Sequence, residues 1–220
     1  MELRTIGVIG AGQMGGGIAH VCALSGFDVR LLDLEESRLV EAMEKIERDM
    51  HRQAARGKVG DADVAAALAR ITTSTDYGIF GDCDLVVEAA TEDESIKREI
   101  LKTLVPHLSP AAIIATNTSS ISITRLAAVT DRPGRFIGMH FMNPVPAMQL
   151  VELIRGIATE QDTFEAVEAL ALALGKTVSV AEDFPAFIVN RILMPMINEA
   201  IYTLYEGVGS VHSIDTALKL

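Results

Sequence analysis

Apolar residues follow two rhythms along this chain. Short unbroken runs at residues 5–9, 29–33, 84–88, 112–116 and 137–141, with another at 150–153, read as buried strands. Between them, apolar positions recur every three or four residues. The clearest case is residues 36–56, where Leu39, Met43, Ile46 and Met50 mark one stripe of a long helix. Shorter helical patterns run from Ile18 to a stop at Gly26, over residues 62–69 with Asp61 as the expected cap, and over residues 95–104 before Pro106. Ile71-Thr72-Thr73 adds a short strand. Strands alternating with helices predict an α/β fold with a doubly wound, mostly parallel sheet. The character changes at Asp183-Phe184-Pro185. Residues 187–206 read as a helix apolar on most faces, kinked by Pro195, and such a helix has to be covered by something. The chain therefore divides into a sheet domain, residues 1–184, and the N-terminal part of an all-α domain, residues 185–220.

The first strand runs into Gly10-Ala11-Gly12-Gln13-Met14-Gly15, and the second ends in Asp33. Gly10 permits a tight turn, Gly12 lets backbone approach a pyrophosphate, and Gly15 allows close helix–strand packing. The helix that follows offers free N–H groups and a partial positive charge to phosphates. Asp33, 18 positions after Gly15, is placed to accept hydrogen bonds from ribose hydroxyls. Strand, glycines, helix, strand and acid in this order form a specific dinucleotide signature of the Rossmann type, whereas GxGxxG alone is weak. Its bland alternative is a glycine-rich turn in an empty α/β domain. A carboxylate at position 33 repels the extra phosphate of NADP, and Leu34 supplies no cation to offset it, so NAD is favoured.

A third feature is Ile137-Gly138-Met139-His140-Phe141-Met142-Asn143-Pro144-Val145-Pro146, followed by Leu150-Val151-Glu152-Leu153. A strand delivers a histidine to its carboxyl end, two prolines stiffen the turn, and a second apolar run brings Glu152 back. A carboxylate on the far ring nitrogen fixes the tautomer and stabilises the charged form, which is the layout of a general base with its orienting acid. A lone histidine after a strand is more often structural, so the pairing with Glu152 and the nearby asparagine carry the argument. Ligands in such sheets bind beyond the carboxyl ends of the strands, which places Glu92, Ser119 and His140 on one functional edge. Glu92 as a helix-start acid and Ser119 as a turn cap are the ordinary alternatives.

Composition narrows the picture. At 220 residues and 49% hydrophobic content, the chain can hold one sizeable core with a smaller annex. A net charge of −11 argues against a nucleic-acid surface and means that an anionic ligand needs a local basic patch. One exists in Lys45, Arg48, His51, Arg52, Arg56 and Lys58, although a solvated helix face explains these charges equally well. Gly57 and the break after it suggest a mobile arm. No apolar run approaches the ~18 residues of a membrane span, so no membrane partner is expected. The N-terminus lacks a signal-peptide pattern, and Cys22 and Cys83 lie far apart, as free thiols of a reducing, cytoplasmic compartment would. No metal site is expected.

The segments GVIGAGQMGGGIA, DLVVEAATED, ATNTSSISIT, IGMHFMNPVPAMQLVELI and DFPAFIVNRILMPMINEA, spread from residue 6 to about residue 200, resemble the short-chain 3-hydroxyacyl-CoA dehydrogenases. The resemblance implies an NAD-dependent oxidoreductase acting on an acyl-CoA substrate, with His140 as base, Glu152 as its partner, and Ser119 and Asn190 touching the substrate. It also implies that Glu92, Lys97, Ser119 and Asn143 lie against the cofactor or the thioester arm. Gln13 and Met14 belong to the cofactor loop by the glycine motif, and Arg52 and Lys58 of the basic concentration are the candidates to meet a CoA. A helical C-terminal domain carrying a homodimer interface is implied as well. Its HPMGPL-type segment and later helices are not found before Leu220, so a truncated domain is the expectation. The alternatives are a catalytically silent, crystallin-like NAD-binding assembly protein and another NAD-dependent acid dehydrogenase, the latter disfavoured by HFMNPVP.

Overall fold

A computed structural model describes residues 3–220. Eight strands form one sheet: β1 (Thr5–Ile9), β2 (Asp28–Leu32), β3 (Ile71–Ser74), β4 (Leu85–Glu88), β5 (Ile113–Thr116), β6 (Phe136–Phe141), β7 (Leu150–Arg155) and β8 (Thr177–Glu182). Their order across the sheet is β3-β2-β1-β4-β5-β6-β7-β8. β6 and β7 pair antiparallel; every other neighbouring pair is parallel. The strands nearest the middle are buried throughout, which is why they read as unbroken apolar runs.

Helices cover both faces. On one side α1 (Gln13–Leu24), α2 (Glu36–Ala55), α3 (Asp61–Ala69) and α6 (Gln161–Ala173) share a core with Ile6, Val8, Leu31, Val87 and Leu153. On the other, α4 (Glu94–Leu104) and α5 (Ile123–Ala127) bury Leu101, Leu104, Ile123 and Leu126 against Ile9, Val86, Ile114 and Ile154. Then come α7 (Val189–Tyr205), which continues through Pro195, and α8 (Val211–Lys219). Neither has a buried residue, and Ile192, Met194, Ile201 and Tyr205 are among the most exposed apolar side chains.

Three local expectations are corrected. The cap of α3 is Gly60, not Asp61, and Asp63 reaches back to accept the Gly60 N–H at 3.2 Å. The last long helix begins at Val189, because Ala186 and Phe187 have φ of 65° and 53°, outside the helical region. The α6–β8 unit has no counterpart in the apolar pattern. β8 lies at the sheet edge with most of its residues partly exposed, so it lacks the unbroken run of a central strand.

β1 lies between β2 and β4, and the chain crosses from one half of the sheet to the other there. The turns after β1, β4, β5 and β6 all open on the same edge, where a doubly wound sheet binds ligands. Because β7 runs backwards, its beginning lies on that edge too.

Asp183 ties the end of the sheet to the opposite layer. Its carboxylate accepts from Ser122 Oγ at 2.7 Å, Ile123 N at 2.9 Å and Thr124 N at 2.8 Å, capping the first turn of α5. Burial opposes ionisation, but the bonds from Thr124, Ser122 and Ile123 outweigh it and hold the acid below the usual carboxylate range. Asp183→Ala should therefore cost about 1–2 kcal/mol in urea unfolding at neutral pH. A depressed carboxylate contributes fully above its unfolded value of about 3.9 and loses that contribution as pH falls through the folded value. The gap between variant and wild type should accordingly narrow in acid, and a pH-independent gap would contradict the assignment.

Candidate active site

The turn after β1 is shaped for a ligand with phosphates. Gly10 has φ of 98°, and a Cβ there would sit 2.6 Å from the Ala90 backbone, so neither a side chain nor a right-handed conformation fits. A Cβ on Gly15 would run into the Gly10 carbonyl oxygen. Around Gly12, by contrast, nothing lies within 4 Å of a built Cβ, and no side chain caps α1. The first N–H groups of α1 thus have no side-chain acceptor among the described residues, which fits an anionic group. Met14 is partly buried and packs against the core. Asp33 is buried at the end of β2: Oδ2 accepts the Ala11 N–H at 2.9 Å and Oδ1 the Glu35 N–H at 3.2 Å. The acid both holds the glycine turn and retains lone pairs for a ribose.

His140 and Glu152 are direct cross-strand partners in the antiparallel β6–β7 ladder, so their side chains share one face of the sheet. Nδ1 of His140 lies 2.8 Å from Glu152 Oε2, with both residues buried. Glu152 Oε1 accepts the N–H groups of Ile188 at 3.1 Å and Val189 at 3.0 Å. Three donors converge on this carboxylate, so it is the acceptor and Nδ1 carries the proton. Nε2 is left with its lone pair, the state a general base requires. Asn143 follows in the turn after β6, where Asn143 Oδ1 accepts from Gln13 Nε2 at 2.9 Å and so links this turn to the cofactor loop.

Glu92 and Ser119 come together at the ends of β4 and β5. Glu92 Oε1 accepts from Thr118 Oγ1 at 2.8 Å, and from Ser119 N at 2.8 Å and Oγ at 2.7 Å. Burial works against the Glu92 charge, but the bonds from Ser119 and Thr118 and the nearby Lys97 outweigh it and keep its pKa low. An ionised Glu92 can only accept, so the Ser119 hydroxyl donates to it and offers its lone pairs elsewhere. Asn190 Nδ2 donates to the Ser119 carbonyl at 3.3 Å, bringing α7 to the same loop. Lys97 departs from expectation. It is fully buried, with Nζ 2.6 Å from Glu88 Oε2, and Thr116 Oγ1 donates to the same oxygen at 2.8 Å. Its ammonium is an internal counter-ion beneath the edge; burial leaves it no direct contact with a ligand.

Beside the cofactor loop opens a groove of about 710 Å³ between α1, α2 and the turn 144–147. Arg38, Lys45, Arg52, Arg56 and Lys58 line it. Arg48 and His51 do not; they face Glu44 and Glu47 on the helix surface. Asp49 pairs with both Lys45 and Arg52, whereas Arg56 and Lys58 have no ion-pair partner among the described residues. On the groove floor Gln53 Nε2 lies 3.1 Å from His20 Nε2. Burial pushes the His20 imidazole down to about 4, so it is neutral and accepts from Gln53. Lys176 braces the opposite wall, donating to the Val145 carbonyl at 2.6 Å and the Met148 carbonyl at 2.8 Å. An isolated lysine after a helix-ending glycine gave no sign of this in the sequence. Asn117, which accepts the Phe141 N–H at 2.9 Å and fastens β6 to the Ser119 loop, was equally silent.

A dinucleotide loop, a His–Glu pair on the same sheet edge and a cationic groove beside them define a nicotinamide-dependent dehydrogenase of alcohols. The sequence profile of the 3-hydroxyacyl-CoA dehydrogenase NAD binding domain matches residues 5–184, and that of the C-terminal domain matches residues 187–220. The chain belongs to the 3-hydroxyacyl-CoA dehydrogenase family and uses NAD. It is 60% identical to a 3-hydroxybutyryl-CoA dehydrogenase of Bradyrhizobium diazoefficiens over 99% of this chain and 74% of that protein. It is 42% identical to human mitochondrial hydroxyacyl-coenzyme A dehydrogenase over 99% of this chain and 71% of that protein. The structure of (S)-3-hydroxybutyryl-CoA dehydrogenase from Ralstonia eutropha superposes with a TM-score of 0.97 at 49% identity, covering 100% of this chain and 77% of that one. Among the described residues, no helix is long and apolar enough to cross a membrane.

Asp33→Ala should weaken NAD binding about 10- to 100-fold, the loss of charge-assisted hydrogen bonds to the ribose and of the brace on Ala11. Calorimetric titration with NAD provides the measurement, and an unchanged affinity would remove Asp33 from the site.

Proposed function

We propose that this chain interconverts 3-hydroxyacyl-CoA and 3-oxoacyl-CoA with a short acyl chain, 3-hydroxybutyryl-CoA being the substrate in the names of its relatives from Bradyrhizobium and Ralstonia. One observation carries the reading: a buried His140, oriented through Nδ1 by Glu152, with a free Nε2 on the cofactor edge. NAD, when bound, supplies the hydride acceptor. His140 Nε2 takes the hydroxyl proton of the substrate as oxidation proceeds, and Glu152 steadies the imidazolium that forms. In the reverse direction the same ring returns the proton to the new alcohol. Ser119 borders the substrate on the same edge with its hydroxyl donating to Glu92, and Asn190 holds the Ser119 backbone in place. Asn143, tied to Gln13, spans the cofactor loop and the thioester end.

The groove between α1 and α2 suits the CoA part of the substrate. Arg56 and Lys58, unpaired among the described residues, are placed to meet its phosphates, while Arg52 must exchange Asp49 for a phosphate oxygen. In this reading residues 1–184 bind NAD, residues 185–220 begin a helical substrate and dimerisation domain, and the protein works in the cytoplasm.

His140→Gln should keep NAD affinity and lose about 10²–10⁴ in turnover, because general-base removal costs that much and the ring lies away from the glycine loop. NADH formation from a 3-hydroxyacyl-CoA measures it, and near-wild-type turnover would sink the assignment.

The apolar side chains of α7 lead to a second expectation. Ile192, Met196, Ile197, Ile201 and Leu204 are all substantially exposed, more contiguous apolar surface than soluble monomers usually carry. Pairing α7 across a twofold axis buries it, and apolar burial returns about 25 cal/mol per Å². Sedimentation at micromolar concentration should find a homodimer; a clean 23.6 kDa monomer would overturn this part of the reading.

A further inference from the structure

Phe187, Ile188, Val189 and Asn190 form one short stretch of chain that touches His140, Glu152 and Ser119. The Phe187 ring is buried and lies 5.9 Å from the His140 ring, inclined at 59°. Ile188 and Val189 give both their N–H groups to Glu152 Oε1, and Asn190 holds Ser119. The backbone conformation makes this possible. Phe187 is left-handed, with φ of 53°, and Ile188 is right-handed, with φ of −98° and ψ of −57°. Successive residues of opposite hand turn their N–H groups to one side and create a concave anion nest. Ala186, also left-handed at φ 65°, leads the chain into that geometry. Two adjacent non-glycine residues in this region cost free energy, and such strain persists only where surrounding contacts enforce it.

We propose that the nest at residues 187–189 is a positioning element of the active site, setting how strongly Glu152 acts on His140 and making that pair depend on the docking of α7. The proposal rests on the reading of His140 and Glu152 as the catalytic pair. With Oε1 held by two backbone donors, only Oε2 is free for the ring, and the carboxylate cannot swing away. The positive end of α7 shares the same oxygen and draws off part of its charge. Apart from this first turn, α7 makes no hydrogen bond to the sheet domain among the described residues, so its docking and the setting of Glu152 are one event.

The charged surroundings are simple. β6 contributes His140 and β7 contributes Glu152; β8 places Ser179 opposite Glu152 and brings no charge there. In the loop after β4, Glu92 is engaged by Ser119 and Thr118. Asp183 is turned to α5, and Arg191 of α7 points to the Pro185 carbonyl at 3.5 Å.

Replacing the Val189 amide by an ester, through its α-hydroxy acid analogue, removes one nest donor and leaves the side chain intact. A carboxylate with one competing donor fewer attracts the imidazolium more strongly. The acidic limb of the pH–rate profile for oxidation should move to higher pH, with turnover down about tenfold and KM for NAD unchanged. Ala186→Val, which disfavours the left-handed entry, should move the limb the same way, and Ala186→Gly should leave the limb where it is in wild type. A limb that coincides with wild type in both the ester and the Ala186→Val protein overturns the nest's role, whatever happens to the rate. His140→Gln measured alongside separates the two ideas. If that variant loses turnover while the limbs coincide, the nest proposal alone fails; if it keeps turnover, the catalytic reading fails.

Discussion

The pairing of β6 with β7 in opposite directions is the constraint on which this site depends. In a purely parallel sheet, a residue twelve positions after His140 would be carried away from the ligand edge and return only at the far end of a crossover. Reversing one strand brings the chain back after a short turn and sets Glu152 directly across from His140. Directly opposite side chains in an antiparallel ladder have Cβ atoms about 5 Å apart, the separation an imidazole–carboxylate bond needs. A slip of one residue would send both to opposite faces. The register is held by the core on both sides of the sheet and by the brace that Lys176 places on the turn between the strands.

Charge is handled differently at two depths. Beneath the edge, Lys97 and Glu88 form a fully buried pair, completed by Thr116 and by the Ala90 N–H, which donates to Glu88 at 3.0 Å. Both carboxylate oxygens are hydrogen-bonded, which an ion pair needs if burial is to be tolerable; leaving either charge alone there costs about 3–5 kcal/mol. The pair fixes β4, β5 and α4 relative to one another and so supports the loops that carry Glu92 and Ser119. At the groove the charges are exposed and paired loosely, if at all. These contribute little to stability, and their field is available to an anionic ligand.

The helical end is joined to the sheet by few but specific contacts. α7 buries nothing of its own, yet its first turn reaches Glu152 and Ser119. Such a joint transmits position without contributing much packing energy.

Much of this was legible along the chain because it depends on local order. The glycine turn, Asp33 at the end of the second strand, and a histidine at the end of another all follow from steric rules and from the period of apolar residues. The partnership of His140 with Glu152 could be anticipated because a stiff turn separates two short strands. Other roles belong to no local pattern. Lys97 was expected at the cofactor; only the packing of α4 on β4 and β5 buries its ammonium against Glu88. Asn117 and Lys176 act on backbone atoms 24 and 31 residues away, and no periodicity marks a side chain that braces a distant carbonyl or amide. The apolar pattern starts the last long helix at Phe187, because neither Ala186 nor Phe187 announces a positive φ. The chain's own order determines where strands end and what chemistry they present. Which of those groups meet, and which are sealed off from water, is decided only when the layers close, because burial and register are properties of the packed sheet.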